Sequence, residues 1–284
     1  MISIDTMTRG RLGNRIFHYN NLVQLASAMG VQASCVKWEG RRLFKMVEGR
    51  KRFRKAKHRL SWRECLQPDL VSNLDPDRDY SLGGLCLHNV FFELTHRDPR
   101  DFLEVARPNK VPRSGEFMNV GIHIRGGDML TDGNLGREIH PPEYFKEAVE
   151  LVTSAISNCS FFVATDDPAN SVFLQVVNFL RQQKLHFRLG DPKDAFEDFK
   201  ELAYSDVMIS SSSTFSVASC LLGARDKWVI HSAEWIAKNQ VGPSYVPWGT
   251  VSDLYPQEYW SSFDNFWVRV GRGDAPFYPV RDFV

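Results

Sequence analysis

The chain has 284 residues, 43% of them hydrophobic and 24% charged, with a formal net charge of +1 at pH 7. These are the proportions of a soluble globular protein long enough for two domains with their own cores. The near-neutral balance removes the global electrostatic case for nucleic acid, no apolar run is long enough to span a bilayer, and the N-terminal residues lack a signal-peptide pattern. Cys35, Cys65, Cys86, Cys159 and Cys220 are scattered with no C-x-x-C pair. That argues against a zinc ribbon or redox dithiol and fits a reducing, cytoplasmic setting.

In chain order, residues 1–7 predict a short strand and 8–13 a glycine-punctuated loop. Residues 14–29 predict a helix, because Ile16, Tyr19, Leu22, Val23 and Ala26 recur at helical spacing. Asn14 is its expected cap and Gly30 its C′ residue. A second strand is predicted over 31–36. The stretch 41–63 then concentrates eleven basic residues, from Arg41 to Arg63, against Glu48 alone. It reads either as a solvated helical face or as a surface for anionic lipid or an acidic glycan, which would put the protein at the periphery of a membrane. Asp75, Asp77 and Asp79 have D-x-D spacing, but they lie in a proline-broken polar loop and read as turn residues rather than metal ligands. A strand is predicted over 80–87.

Residues 107–115, with Pro108, Pro112 and Ser114, read as a linker between a first domain, 1–112, and a second, 113–236. The second alternates regularly. Strands are predicted at 119–125, 160–165, 186–189, 207–210 and 228–231. Helices are predicted from Pro142, after Pro168, at 195–204 and at 215–222. Strand and helix taking turns is the pattern of a parallel doubly wound sheet. The tail, 237–284, is rich in Trp, Tyr and Pro and is expected to pack across both domains.

Three segments carry chemistry. V-G-I-H-I-R-G-G-D at 120–128 is a buried strand entering a tight turn, with His123 and Arg125 on one face by alternation. At the carboxyl end of such a strand that face opens on a ligand crevice, where a guanidinium matches phosphate. A structural ion pair between a strand-end Arg and Asp is the competing reading. G-R-L-G-N-R at 10–15 joins strand to helix, so the amides near Gly13, Asn14 and Arg15 can face an anion, although such a connection needs glycine anyway. Ser210–Ser216 places hydroxyls and amides at a helix N-terminus. Phosphate binding by Ser212, Ser213 and Thr214 competes there with plain capping by one serine. In F-F-V-A-T-D-D-P at 161–168, one of Asp166 and Asp167 is expected to cap the next helix and the other to face the crevice.

The order of these segments resembles the GDP-fucose-dependent fucosyltransferases, closest to the α-1,2 group over most of the chain. Gly10 to Asn14 with Phe17 is similar to that group's G-x-x-G-N-Q-x-F-x-Y, and His123 to Asp128 to its H-x-R-R-G-D. Ala164 to Pro168 is similar to the A-T-D-D-P of the α-1,6 group, whose wider superfamily includes the protein O-fucosyltransferases. Ser212 to Ser216 is similar to the family's S-T-F-S element, and Asp198 falls where those enzymes carry a guanine-reading aspartate. The chain departs from the pattern at Gly126, where the family has a second arginine, at Arg15, where it has glutamine, and at Val217–Ala218.

The resemblance implies an α/β fold of GT-B type, with two facing Rossmann-like domains of parallel sheet, the first on the acceptor side and the second holding the nucleotide. It implies inverting, metal-independent transfer of fucose from GDP-fucose to a glycan hydroxyl, with no cofactor beyond the donor substrate. Arg125 would grip the β-phosphate, His123 contact the nucleotide, Asp198 read guanine, and Ser213 and Thr214 hold phosphate. Asn14 would line the cleft, and Arg15 would replace the charge missing at Gly126. The proton acceptor would come from Asp128, Asp132 or Glu138. Two alternatives stay open: transfer of another GDP-sugar or to another linkage, and a GDP- or glycan-binding module without turnover.

Overall fold

The structure is a computed structural model and describes residues 1–7, 10–44, 58–61, 64, 70–83, 99–109, 117–127, 140–211, 213–224, 227–232, 266–269 and 277–279. Asp128, Asp132, Glu138 and Ser212 lie outside them, as do the segments 45–57, 62–63, 84–98 and 233–265. The chain divides into two compact units, Met1–Ala106 with Ile236–Phe263, and Arg107–Trp235 with Asp264–Val284. Among the described residues no helix is long and apolar enough to cross a membrane.

The N-terminal unit holds a parallel four-stranded sheet of β1 (Ile2–Ile4), β2 (Ala33–Cys35), β3 (His58–Leu60) and β4 (Tyr80–Leu82), in the order β2-β1-β4-β3. Helix α1 (Leu12–Ala28) connects β1 to β2. It ends as its sequence predicts. Gly30 has φ +65°, Gly30 N–H reaches Ser27 O at 3.1 Å and Val31 N–H reaches Ala26 O at 2.9 Å, a glycine-terminated cap. Its start corrects the expectation. The helix begins at Leu12 with Arg11 at the N-cap, so Gly13 and Asn14 lie inside the first turn and Asn14 is not the cap. Asn14 instead packs its side chain over Gly10, where a Cβ would collide with it. The apolar stripe predicted along α1 is buried, and so are the polar His18, Asn20, Asn21 and Gln24. Gln24 Nε2 donates to Asn20 Oδ1 at 3.1 Å, whereas both ring nitrogens of His18 have no hydrogen-bond partner among the described residues.

At the ends of the basic stretch lie a short 3-10 helix, Glu39–Leu43, and β3; its middle, 45–57, lies outside the described residues. The short α2 (Leu70–Asn73) precedes the Asp-rich loop. That loop is a turn, as expected: Asp75 Oδ1 accepts the Asp77 amide at 2.9 Å and Asp75 Oδ2 pairs with Arg78 at 3.1 Å.

The C-terminal unit is built on β5 (Met118–Ile124), β6 (Cys159–Thr165), β7 (His186–Leu189), β8 (Val207–Ile209), β9 (Trp228–Ser232), β10 (Phe266–Arg269) and β11 (Phe277–Pro279). They form one seven-stranded sheet, ordered β11-β10-β9-β8-β5-β6-β7, parallel except for β11. The helices are α3 (Pro142–Ala155), α4 (Ser171–Gln182), α5 (Ala195–Ala203) and α6 (Thr214–Leu221). Every strand from β5 to β9 falls where periodicity predicts, and the tail contributes the last two strands.

Alternation along β5 sends Val120, Ile122 and Ile124 into a core with Phe145 and Val149 of α3 and Val176 and Leu180 of α4. Each fully buried side chain of this kind stabilises the fold by about 1.5–3 kcal/mol. Gly121 faces the other side, where α5 comes close: a Cβ there would sit 2.9 Å from Ser205 Oγ and 3.0 Å from Leu202 Cδ2. Buried Lys227 ties α5 to α6. Its Nζ donates to the carbonyls of Leu202 (3.1 Å), Ala203 (2.6 Å) and Ser219 (2.7 Å), placing a cation at two helix C-termini.

The strand order places the crevice. The chain runs β5, β6, β7 toward one edge, then returns to lay β8 and β9 on the other side of β5. Parallel doubly wound sheets bind ligands at this reversal, outside the carboxyl ends of the strands. Here those ends are the ends of β6, β5 and β8.

Candidate functional site

At the end of β5, Arg125 and the amide of Gly126 are both held by one carboxylate at the end of β6. Asp166 Oδ2 pairs with the Arg125 guanidinium, and Asp166 Oδ1 accepts the Gly126 N–H at 2.7 Å. The strand-end ion pair weighed against phosphate binding therefore exists, with Asp166 as a partner. A paired arginine is not thereby spent, because the guanidinium carries five donors.

Asn170 fixes the same turn from below. Its Nδ2 donates to the Arg125 carbonyl at 3.2 Å and its Oδ1 accepts the Val172 N–H at 2.9 Å, capping α4. The cap is thus Asn170, and neither Asp166 nor Asp167. Asp167 closes a local turn, accepting the Ala169 amide at 3.0 Å. Sequence reading missed Asn170. Its signal was an asparagine two residues before Val172, at the start of an amphipathic run.

His123 is buried two residues before Arg125, with Nδ1 2.8 Å from Ser211 Oγ and its ring 5.0 Å from that of Phe215. Burial outweighs the attraction of Asp166 and, with the repulsion of Arg125, lowers its pKa to about 4, so the ring is neutral at pH 7.

The serine run divides into inward and outward members. Ser216 Oγ accepts the Ser211 amide at 3.0 Å and lies 3.0 Å from Ser210 Oγ, all three being buried. The hydroxyls of Ser210, Ser211 and Ser216 thus belong to the interior. Ser213 caps α6 by accepting the Phe215 amide at 3.3 Å, and Thr214 is the first residue of the helix. The N-terminus of α6 therefore follows the end of β8 directly, with its positive dipole end at the crevice.

Asp198 lies in the first turn of α5 and is almost fully buried. Its Oδ1 accepts the Asp191 amide at 3.1 Å, just after β7. Burial is the main cause that raises its pKa to about 7, opposed by that hydrogen bond and reinforced by Glu201, Asp191 and Asp194. Gly190 makes room for it: a Cβ there would sit 2.6 Å from Asp198 Oδ1. Glu201 is paired with Arg188, whose guanidinium lies 4.4 Å from the centroid of the Phe162 ring.

In the N-terminal unit, Gly13, Asn14 and Arg15 share the first turn of α1, and Arg15 pairs with Glu39.

The fold and these groups define a class: a doubly wound α/β chain whose switch point gathers a buried neutral imidazole, a braced guanidinium and a helix N-terminus, the donor set that suits an anionic nucleotide. Among solved structures the chain is similar to POFUT1 in complex with GDP-fucose, at 11% identity and TM-score 0.49, covering 77% of this chain and 92% of that one. It is likewise similar to POFUT1 in complex with GDP, at 10% identity and TM-score 0.49 over 77% and 92%, and to the POFUT1 apo-form, at 10% identity and TM-score 0.43 over 77% and 93%. No protein-family model and no curated protein matches the sequence.

Proposed function

We propose that the chain is a fucosyltransferase that takes GDP-fucose as donor and moves fucose, with inversion and without a metal, to a glycan hydroxyl, the 2-hydroxyl of galactose being the expected acceptor. The observation that supports this best is the bracing of Arg125 at the switch point, with Asp166 on its side chain and Asn170 on its carbonyl. Breaking the donor's C–O bond leaves positive charge on the sugar and negative charge on GDP. A guanidinium fixed before the reaction stabilises that charge without reorganising, and loss of one such donor costs about 10²–10³ in turnover. His123 donates to the nucleotide as a neutral group, the α6 N-terminus at Ser213 and Thr214 receives phosphate oxygens, and Asp198 accepts the N1 and N2 hydrogens of guanine.

Asp128, Asp132 and Glu138 follow Arg125 closely in sequence and are the proposed sources of the base that takes the acceptor's proton. The basic stretch 41–63 is the proposed contact for an acidic glycan or an anionic membrane surface.

The test is GDP release from GDP-fucose in EDTA, with and without an array of glycan acceptors, and with GDP-mannose as competitor. Acceptor-dependent release and an α-linked product from the β-linked donor support the proposal. Binding of GDP without turnover on any acceptor moves the assignment to a binding module, and strict dependence on added Mn²⁺ or Mg²⁺ moves it to another family.

A further inference from the structure

The serine run answers a question that Arg125 leaves open: which ring nitrogen of His123 carries the proton. Two of its hydroxyls are tied to the Ser211 backbone. Ser216 Oγ accepts the Ser211 amide at 3.0 Å and donates to Ser210 Oγ at 3.0 Å, and Ser210 Oγ donates to the Ser211 carbonyl at 3.2 Å. Each of those hydroxyl protons has its acceptor. The hydroxyl of Ser211 itself takes no part in these bonds, and Ser211 is 2% exposed. Its partner among the described residues is His123 Nδ1, 2.8 Å away.

Two protonation patterns are chemically open. If Nδ1 carried the proton, it would donate to Ser211 Oγ, and the buried hydroxyl proton would be left with no acceptor among these groups. A buried donor left without an acceptor is unfavourable, because folding has stripped it of water and returned nothing. If Nδ1 is bare, Ser211 donates to it, and both the hydroxyl proton and Nδ1 are satisfied. In a neutral imidazole the proton then sits on Nε2. Phe215, in the first turn of α6, lies against the ring and holds its plane.

We propose that Ser211 is a positioning residue that fixes His123 in the Nε2–H tautomer, so that the buried imidazole is a neutral hydrogen-bond donor to a phosphate oxygen of the bound nucleotide. The ligand half of this rests on the nucleotide reading above. The division of labour is chemical: Arg125 supplies the charge, and His123 supplies direction without adding a second buried cation beside it. Burial keeps the ring neutral down to about pH 4, well below the range in which an ordinary histidine would protonate.

The experiment uses the full chain labelled with ¹⁵N-histidine and a long-range ¹H–¹⁵N correlation spectrum at pH 7, with His123 assigned by its absence from His123→Gln. The expected spectrum has a protonated Nε2 and an unprotonated, hydrogen-bonded Nδ1. A proton on Nδ1, or rapid exchange between both tautomers, overturns the proposal. Ser211→Ala should lose the single tautomer and weaken GDP binding roughly three- to tenfold, and Ser211→Thr, which keeps the hydroxyl, should restore both. Wild-type tautomer and affinity in a folded Ser211→Ala protein would refute the role of Ser211. If the alanine variant does not fold, the wild-type spectrum decides by itself. The tautomer is read without ligand, so failure of the wild-type protein to bind GDP would overturn the nucleotide reading, and the phosphate role with it, as a separate result.

Discussion

Asn170 occupies the space that a side chain on Gly126 would need: a Cβ there would lie 2.6 Å from Asn170 Nδ2 and 3.0 Å from Asp167 Cβ. The same Nδ2 donates to the Arg125 carbonyl, so the missing side chain at 126 and the bracing of Arg125 are one arrangement. This explains physically why the second arginine of the resembling family has no counterpart at this position.

Gly126→Ala should therefore overpack the turn and cost about 1–3 kcal/mol in urea unfolding, with weaker GDP binding. Asn170→Ala should cost about 1 kcal/mol from the lost cap of α4. The double variant should be less destabilised than the sum, because removing Asn170 frees the space. Strict additivity would show that the two residues do not share it. Gly126→Arg should restore little of any activity lost in Arg15→Gln, since the new side chain must first displace Asn170.

Asp198 should make GDP binding pH-dependent. Its pKa is raised to about 7 by burial, and only the ionised form can accept two guanine hydrogens. Affinity should rise between pH 6 and pH 8, with proton release on binding near pH 7. The unliganded fold has the opposite slope. The folded pKa lies above the ordinary 3.8, so the stability Asp198 contributes is full below about 3.8 and is lost as pH rises through about 7. Asp198→Asn should flatten both profiles, strengthen the fold at pH 8 and weaken GDP binding. Unchanged affinity in this variant would remove Asp198 from the site.

His18 should be a stability liability in acid. Burial lowers its pKa to about 4, and among the described residues neither ring nitrogen has a hydrogen-bond partner. With the folded pKa below the unfolded value of 6.5, its contribution is present above about pH 6.5 and is lost as pH falls through about 4. His18→Leu removes two unsatisfied polar atoms at similar volume. It should raise the melting temperature, and by more at pH 5 than at pH 7.5. A variant equally destabilised at both pH values would mean that the imidazole makes a contact the protein needs.

Much of this was legible in the residues because it depends on local pattern. The alternation of Val120, Ile122 and Ile124 against Gly121 and His123 marked the central strand and its two faces, and Gly30 marked the end of α1 by its backbone demand. What stayed hidden depends on partners distant in sequence. Lys227 is an ordinary loop lysine until α5 and α6 bring their terminal carbonyls to it from more than twenty residues away in the case of Leu202 and Ala203. The separate parts played by Ser211 and Ser216 were not legible, because nothing local shows that one meets His123 and the other accepts the Ser211 amide. Asn170 competed with two aspartates for the cap of α4, and only the path of the β6–α4 loop decides among them. Burial of His18 and Gln24 runs against their composition and has no pattern to announce it.

Arg125, braced by Asp166 and Asn170, is the group proposed to bind the diphosphate of a guanine nucleotide. Calorimetric titration of the wild-type protein with GDP in EDTA, compared with ADP and UDP and repeated on Arg125→Ala and Arg125→Lys, tests it most directly. GDP should bind without metal and in preference to ADP and UDP. Arg125→Ala should lower affinity roughly 10- to 100-fold, as expected for charge-assisted hydrogen bonds, and lysine, which lacks the planar fork, should restore little of it. Equal affinity in wild-type and Arg125→Ala proteins, or no GDP binding by the wild-type protein, would contradict it.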